Sequence, residues 1–276
     1  MIGQAKRLAE LNKLYGMQPE VKMHCPVISI ISGKGGTGKS FFALNSALNL
    51  AEKDKKVLLI DLDKNLSNLH IMLNEMPEET VYHVLMNKTL VSDAIVKLKP
   101  NIDCLFGDSG KSDHPELNSR NLDSLFKQLS NVSNRYDFII IDTASGVGEE
   151  LKYLIKKSET IVVVTNPEPT SIMDSYVVLK EMRNLNFDKQ KFVVINKSPD
   201  EKTGFEAFQN LRKAVKHFLD GNISILGVIS NNLEISKSII KQIPIMLEKG
   251  NIVLKSEIEK IVNNLIKNHQ VVNNNH

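Results

Sequence analysis

Short runs of apolar residues, many of them β-branched, alternate along this chain with longer segments whose apolar positions recur every three or four residues. Unbroken apolar runs are typical of strands buried on both faces of a parallel sheet, and the longer segments are typical of the helices that cover such a sheet. We predict strands at Val27–Ser32, Val57–Asp61, Ile102–Phe106, Phe138–Asp142, Thr160–Thr165, Phe192–Ile195 and Ile223–Ile229. We predict helices at Lys39–Glu52, Arg120–Val132, Glu149–Lys157, Ser171–Leu185, Phe205–Phe218 and Lys255–Lys267. The pattern predicts an α/β fold with a doubly wound, mainly parallel sheet and helices on both faces.

Local spacing adds two predictions about the ends of helices. Ser171 followed by Asp174, and Ser256 followed by Glu259, have the spacing of capping boxes, which predicts that helices start there. The tail from Asn268 to His276 is biased towards asparagine, and we expect it to be disordered.

Composition limits the class of protein. The 276 residues are 42% hydrophobic, enough for one sizeable core, and we expect a single domain at residues 23–267. The net charge is only +3, with basic and acidic residues interspersed, which argues against DNA as a partner. Cys25 and Cys104 lie far apart, so neither a disulfide framework nor a zinc or iron–sulfur site is indicated. The sequence has no membrane-spanning apolar run and no signal-peptide pattern, so we expect a cytoplasmic protein.

The segment after the first predicted strand carries the strongest chemical signal. It reads Gly33-Lys34-Gly35-Gly36-Thr37-Gly38-Lys39-Ser40 and satisfies the phosphate-loop pattern G-x-x-x-x-G-K-[ST] between a strand and a helix. Glycines let backbone N–H groups turn towards phosphates, and the start of the following helix adds positive potential. We therefore expect ATP with Mg²⁺, with Lys39 neutralising the β and γ phosphates and Ser40 binding the metal. Phe41, the next residue, is included in the predicted nucleotide site.

Aspartates follow two of the predicted strands. Asp142 ends one strand and is predicted to hold Mg²⁺, while Asp61 and Asp63 come at the end of another. Because ligands of open α/β sheets bind at the carboxyl ends of the strands, all three are candidates for the site. For any one of them, an ordinary turn residue at a strand end is an equally good interpretation.

A second lysine in the phosphate loop, Lys34, gives this loop a resemblance to the deviant Walker A motif of the MinD/ParA family of P-loop ATPases. The resemblance continues in three further segments, Asp61-Leu62-Asp63 with Asn68, Asp142-Thr143-Ala144-Ser145-Gly146 and Thr165-Asn166-Pro167-Glu168. It extends from about Val27 to Lys267 and implies an ATP-bound sandwich homodimer.

The resemblance also implies roles for individual residues. Lys34 would act on the partner subunit's nucleotide, Asp63 would orient the attacking water, and Asp142 would serve the metal, with Asp61 as a weaker candidate for that task. Asn196 matches a position that contacts adenine. The chain departs from the family pattern at Thr143-Ala144-Ser145-Gly146, where a proline is usual, and at Ser230, where a proline is also usual.

The first 22 residues precede the ATPase pattern and suggest a partner. Gln4, Ala5 and Leu8 resemble the activating segment of the flagellar-number regulators FlhG, FleN and YlxH, which stimulates the signal-recognition-particle-type GTPase FlhF. Gly3 and Ala9 depart from that pattern. An N-terminal helix packed on its own domain is the alternative. The resemblance thus implies an ATP-hydrolysing dimerisation switch that regulates flagellar number or placement.

Other functions remain open on the sequence alone. A ParA- or MinD-type positioning ATPase for DNA or cell division is the main alternative, although DNA binding would need a basic surface. An iron–sulfur carrier would need paired cysteines, and a vestigial nucleotide site would not need its lysines and aspartates intact. The apolar face made by Ile258, Ile261, Val262, Leu265 and Ile266 allows at most weak membrane association, because the basic and aromatic anchors of an interfacial helix are missing.

Overall fold

A computed structural model of the chain describes residues 22–64, 67–108 and 115–273, which form one sheet covered by helices on both faces. The strands are β1 (Val27–Ile31), β2 (Val57–Asp61), β3 (Val96–Lys99), β4 (Ile102–Leu105), β5 (Phe138–Asp142), β6 (Thr160–Thr165), β7 (Gln190–Ser198) and β8 (Ser224–Ser230). The α-helices are α1 (Lys39–Glu52), α2 (Leu69–Leu73), α3 (Val81–Leu85), α4 (Val91–Ala94), α5 (Ser119–Val132), α6 (Glu149–Lys157), α7 (Pro169–Asn184), α8 (Glu201–Leu219), α9 (Leu233–Lys241) and α10 (Ile252–Asn273).

The strand order in the sheet is β3-β4-β2-β5-β1-β6-β7-β8. Neighbouring strands are parallel except for β3, which pairs antiparallel with β4 at one edge. The predicted doubly wound, mainly parallel α/β fold is therefore confirmed. Because β1 lies between β5 and β6, the loop that follows β1 emerges at the middle of the carboxyl edge of the sheet.

The core consists of apolar layers on the two faces of the sheet. Ile28 and Ile30 of β1 face the layer that contains Phe42 of α1 and the apolar side of α10. Val27 and Ile31 point the other way, towards layers formed with α5 to α8. Successive side chains of a strand alternate between faces, so a strand that is buried on both faces must be apolar at nearly every position. This explains why the central strands could be recognised in the sequence as unbroken apolar runs.

Two predicted helix starts are wrong. Helix α7 begins at Pro169, with Glu168 as its N-cap, so Ser171 lies inside its first turn. The fixed φ of proline favours the first helical position, and this outweighs the capping-box spacing at Ser171. Ser256 likewise lies inside α10, which begins at Ile252. Side-chain N-caps are found instead at Asn118, Asp200 and Asn232.

The sequence analysis did not predict β3 or the short helices α2, α3, α4 and α9. Strand β3 has only four residues, Val96–Lys99, and its side chains are alternately half-buried and exposed because it lies at the sheet edge. Helices α2 to α4 have five residues or fewer, too few for a helical period to be recognised.

Helix α10 differs from the expectation at the C-terminal tail. It continues through Asn273, so Asn268–Asn273 are helical where disorder was expected. The extension is held by tertiary contacts, since Gln190 Nε2 donates to the Asn268 carbonyl oxygen at 2.8 Å and the His269 ring lies 5.9 Å from that of Phe138. The apolar side of α10, including Ile258 and Leu265, is buried in the core and is not free to contact a membrane.

The proposed partner-activating segment, with Gln4, Ala5 and Leu8, lies outside the described residues apart from Lys22. Within residues 22–64, 67–108 and 115–273, the helices are all too short or too polar to cross a bilayer.

Candidate functional site

The phosphate loop connects the end of β1 with the start of α1 and is held in a tight conformation. Gly38 is left-handed, with φ of 91°, and a side chain there would overlap the Asn196 amide nitrogen. A side chain at Gly33 would overlap the backbone carbonyl of Asp174 in α7. Glycine is therefore required at both positions by close packing, at Gly33 against α7 and at Gly38 against Asn196 of β7.

Helix α1 directs its open N-terminus into this loop. Its first intrahelical bond runs from the Phe42 N–H to the Gly38 carbonyl oxygen at 3.0 Å. The N–H groups of Lys39, Ser40 and Phe41 precede that bond and are the free donors of the helix end, where an anion is stabilised. The Phe41 side chain is buried in the core. Phe41, one of the predicted nucleotide contacts, can therefore contact a nucleotide only through its backbone.

Two buried aspartates lie side by side beneath the loop. Asp61 of β2 and Asp142 of β5 are register partners, and neither side chain is exposed to solvent. The carboxylate of Asp61 is engaged by its own loop, since Oδ2 accepts from Ser67 Oγ at 2.7 Å and Oδ1 accepts from the Asp63 N–H at 3.1 Å. Asp61 therefore organises the chain that follows β2.

The carboxylate of Asp142 is different, because neither of its buried oxygens has a hydrogen-bond partner among the described residues. Burial raises the pKa of Asp142 to about 7, against the opposing effects of the nearby Lys39 and Ser40. A buried carboxylate without donors is stabilised in its charged form by a cation, and its hard oxygen ligands suit Mg²⁺. No cluster of three or more His, Cys, Asp or Glu side chains in the described part of the chain could hold a metal alone.

Lys34 is partly exposed and bonded within its own chain. Its Nζ lies 3.2 Å from Glu168 Oε2 and 3.3 Å from Thr170 Oγ1, at the start of α7. The contact links the phosphate loop to the segment after β6. Exposed ion pairs of this kind contribute at most about 1 kcal/mol, so Lys34 can be drawn away by a stronger anion.

Asn196 supports the phosphate loop from β7. Its Nδ2 donates to the Thr37 carbonyl oxygen at 2.7 Å, and its Oδ1 accepts from the Lys197 N–H at 2.9 Å. Lys197 has a left-handed backbone with φ of 55°, and its Nζ donates to the Gly36 carbonyl oxygen at 2.8 Å. Lys197 was not predicted as a site residue, because its role depends on a backbone conformation that spacing does not reveal.

Glu150, in the first turn of α6, is a second residue that the sequence analysis missed. Its Oε1 is buried without a hydrogen-bond partner among the described residues. Burial, followed by repulsion from Asp63, raises the pKa of Glu150 to about 7, and Lys64 and Lys39 act in the opposite direction. An acidic residue in a first helical turn is ordinary in a sequence, so no signal marked it.

Comparison with known proteins agrees with this geometry. The AAA domain family matches residues 25–198, which include the phosphate loop, both buried aspartates and Asn196. Antiactivator FleN of Pseudomonas aeruginosa is 29% identical over 78% of this chain and 77% of its own length. The flagellum site-determining protein YlxH of Helicobacter pylori is 28% identical over 84% of this chain and 79% of its own. The septum site-determining protein MinD of Thermotoga maritima is 31% identical over 87% and 86%.

Among solved structures, the septum site-determining protein MinD of Pyrococcus horikoshii, complexed with Mg-ADP, superposes with a TM-score of 0.72. The match covers 90% of this chain and 98% of that protein at 23% identity. At this identity, the superposition shows a shared fold.

Proposed function

Because this chain belongs to the AAA domain family of P-loop ATPases, in its MinD-like branch, we propose that it is a nucleotide-dependent dimerisation switch that regulates flagellar number or placement. One observation carries the proposal. A phosphate loop with a second, partly exposed lysine lies at the centre of the sheet edge, above a buried aspartate that has no protein donor among the described residues. The reaction is ATP hydrolysis, which the family membership establishes.

Each element of the site has a part in this reaction. The open N–H groups of α1 and the buried ammonium of Lys39 bind the phosphates of ATP. Ser40 and Asp142 would hold Mg²⁺, which neutralises charge on the transferred phosphoryl group when it is bound. Asp63 lies beside the site and would orient the attacking water. Asp61 shapes the loop that carries Asp63, and this favours a structural role for Asp61 over the weaker metal assignment.

The homodimer part of the proposal depends on Lys34. An ammonium group at the rim of the loop, held by exposed contacts with Glu168 and Thr170, can turn to the phosphates of a second subunit when ATP is bound in both. Hydrolysis removes the γ phosphate and with it the charge that holds Lys34 across the interface. The nucleotide state therefore sets the monomer–dimer equilibrium. A cytoplasmic location belongs to the same proposal, since the switch requires ATP.

The flagellar assignment is supported by the similarity to YlxH, which is named for determining flagellum sites. We propose that residues 1–22, through Gln4, Ala5 and Leu8, stimulate the flagellar GTPase FlhF. The test measures GTP hydrolysis by that GTPase alone, with the full chain, with a chain lacking Met1–Gln18, and with Leu8→Ala. Leu11→Ala is the matched control, because it removes a nearby leucine outside the motif.

Stimulation by the full chain and by Leu11→Ala, lost in the deletion and in Leu8→Ala, is the expected result. Equal GTP hydrolysis with the full chain and with the deletion would reject the partner assignment, and the ATPase would remain.

The second candidate function is that of a positioning ATPase for DNA or cell division. The similarity to the septum site-determining protein MinD favours it. In that case the ATP-bound form would bind lipid vesicles or DNA, while the ADP-bound form would not. Co-sedimentation of the full chain with anionic vesicles and with double-stranded DNA, each with ATP and with ADP, separates these outcomes from the flagellar one.

A further inference from the structure

Strand β7 is irregular near its carboxyl end. Its pairing with β8 changes register between Ile195 and Ser198, and Lys197 within this interval has a left-handed backbone with φ of 55°. Residues other than glycine rarely adopt this conformation, because the Cβ comes too close to the following carbonyl oxygen. The Lys197 N–H donates to the Asn196 side-chain oxygen at 2.9 Å, which holds the irregular backbone in place. Irregularities in strands next to a site often redirect a side chain towards it.

Two side chains from this end of β7 hold consecutive carbonyl groups of the phosphate loop. Lys197 Nζ donates to the Gly36 carbonyl oxygen at 2.8 Å, and Asn196 Nδ2 donates to the Thr37 carbonyl oxygen at 2.7 Å. The Asn196 contact is buried, whereas the Lys197 contact is exposed. The same strand therefore fixes two successive peptide groups of the loop.

The orientation of these peptide groups determines where their N–H groups point. The peptide bonds of the described residues are trans, and across a trans peptide the carbonyl oxygen and the next N–H point in opposite directions. With the Gly36 carbonyl turned towards Lys197, the Thr37 N–H points away from Lys197. With the Thr37 carbonyl turned towards Asn196, the Gly38 N–H points away from Asn196. Neither N–H donates to an acceptor in the part of the chain that the structure describes, so both are available to an anion, as in the backbone nests that bind phosphates.

We propose that Lys197 is a positioning residue for nucleotide binding, whose ammonium group holds the Gly36 carbonyl so that the Thr37 N–H already faces the phosphate site in the nucleotide-free protein. A donor that is oriented in advance binds an anion more tightly, because it needs no reorganisation when the ligand arrives. Asn196 supplies the buried part of this support and Lys197 the exposed part. The proposal rests on nucleotide binding by the phosphate loop and does not depend on the flagellar assignment.

The first experiment measures ADP affinity by calorimetric titration for Lys197→Met, Lys197→Arg and the control Lys202→Met in the full chain. Lys197→Met retains an unbranched side chain and removes the donor, so ADP affinity falls roughly fivefold. Lys197→Arg keeps a charged donor and restores affinity to within about twofold of the wild type. Lys202 is an exposed lysine of α8 whose Nζ lies 4.0 Å from Glu206, so Lys202→Met binds ADP like the wild type.

Steady-state hydrolysis of ATP gives a second readout. An N–H that binds the phosphates equally well before and during the reaction contributes to KM and not to kcat. In Lys197→Met, KM for ATP therefore rises roughly fivefold while kcat stays within about twofold. Wild-type ADP affinity in Lys197→Met, or a fall in kcat with KM unchanged, would overturn the proposal. A wild-type chain that fails to bind ADP would reject nucleotide binding itself and this proposal with it.

Lys197→Gly separates positioning from stability. Glycine adopts a left-handed backbone without the Cβ clash, so the melting temperature of this variant is at or above that of Lys197→Met. Its ADP affinity nevertheless stays roughly fivefold below that of the wild type, because the ammonium group is missing. A purely structural role would make affinity follow the melting temperature. Recovery of wild-type affinity in Lys197→Gly would therefore overturn the proposal.

Two further measurements test the orientation directly. In the nucleotide-free protein, loss of the bond to the Gly36 carbonyl changes its ¹³C NMR shift and the amide ¹⁵N shift of Thr37 in Lys197→Met, but not in Lys202→Met. In a crystal structure of the wild type with ADP, the Thr37 N–H donates to a phosphate oxygen while Lys197 Nζ remains on the Gly36 carbonyl. Unchanged shifts in Lys197→Met, or a Lys197 ammonium bound to the phosphates with the Gly36 carbonyl released, would overturn the proposal.

Discussion

At the scale of single residues, Asn196 has a contact that the sequence did not indicate. Its amide bonds to the backbone on both sides, with Thr37 in the phosphate loop and with Lys197 in its own strand. The adenine contact implied by family resemblance stays a prediction. The described contacts of Asn196 are by themselves sufficient evidence that it supports the phosphate loop.

Asn196→Ala separates these two roles. If Asn196 supports the loop, the substitution lowers affinity for ADP and GDP alike, by about tenfold for the loss of a buried hydrogen bond of about 1.4 kcal/mol. If it reads adenine, only ADP affinity falls. Calorimetric titration with both nucleotides distinguishes the two outcomes, and a GDP affinity equal to that of the wild type would contradict the supporting role.

The buried carboxyl groups predict how stability depends on pH. The pKa values of Asp142 and Glu150 are both raised to about 7 by burial. The folded protein therefore retains protons that the unfolded chain releases from about pH 4 upward. The contribution of these groups to the free energy of unfolding is greatest at acidic pH and is lost as the pH rises through about 7.

Thermal unfolding between pH 5 and 8 tests this prediction. Asp142→Asn and Glu150→Gln should each make the decline with rising pH shallower than in the wild type, since neither amide titrates. Mg²⁺ with ADP should also flatten the curve, because the cation stabilises the charged Asp142. Parallel curves for wild type and both variants would contradict the assignment of the decline to these residues.

At the residue scale, a site residue could be predicted only where a local sequence pattern marks it. The phosphate loop and Asp142 were predicted because consecutive residues mark a loop and a strand end. Glu150 and Lys197 were not, because the burial of the Glu150 carboxylate and the left-handed backbone of Lys197 arise only in the folded chain. Phe41 was placed in the site by its position in sequence, while packing directs its side chain to the core.

At the scale of elements, α10 is longer than its apolar period indicated. The sequence beyond Lys267 is polar, but the Asn268 carbonyl and the His269 ring contact β7 and β5, and these contacts join segments far apart in the sequence. The central strands were predictable to within a few residues since burial on both faces fixes their composition. Edge strand β3 and the shortest helices lack that constraint.

Truncation tests the contribution of the end of α10. A chain that stops after Lys267 loses the bond from Gln190 and the ring contact with Phe138, which should cost about 1–2 kcal/mol and lower the melting temperature by a few degrees. A chain that stops after Asn273 retains both contacts and serves as the control. Equal melting temperatures would show that residues 268–273 contribute no stability.

At the scale of the whole molecule, we propose that the position of Lys34 sets the monomer–dimer equilibrium. Lys34→Ala should bind ADP like the wild type and fail to dimerise with ATP, because its side chain is needed only across the interface. Glu168→Gln removes the charge of the competing ion pair within the chain, so ATP-dependent dimerisation should strengthen by up to about fivefold, the range of an exposed ion pair. Analytical ultracentrifugation with ADP and with a non-hydrolysable ATP analogue measures both effects. ATP dimers formed by Lys34→Ala would contradict the assignment of this lysine to the partner subunit.

The central position of β1 also determines when during synthesis the site is completed. The two neighbours of β1 are β5 and β6. The Asn196 side-chain amide, which donates to the Thr37 carbonyl oxygen, is 159 positions further along the chain than Thr37. A ribosome must therefore release most of the polypeptide before the first motif in the sequence acquires its final shape. At about 5–20 residues per second, that interval lasts on the order of ten seconds or more. During this time the glycine-rich segment has been made but cannot yet retain a nucleotide, so the nascent chain gains ligand stabilisation only near the end of translation.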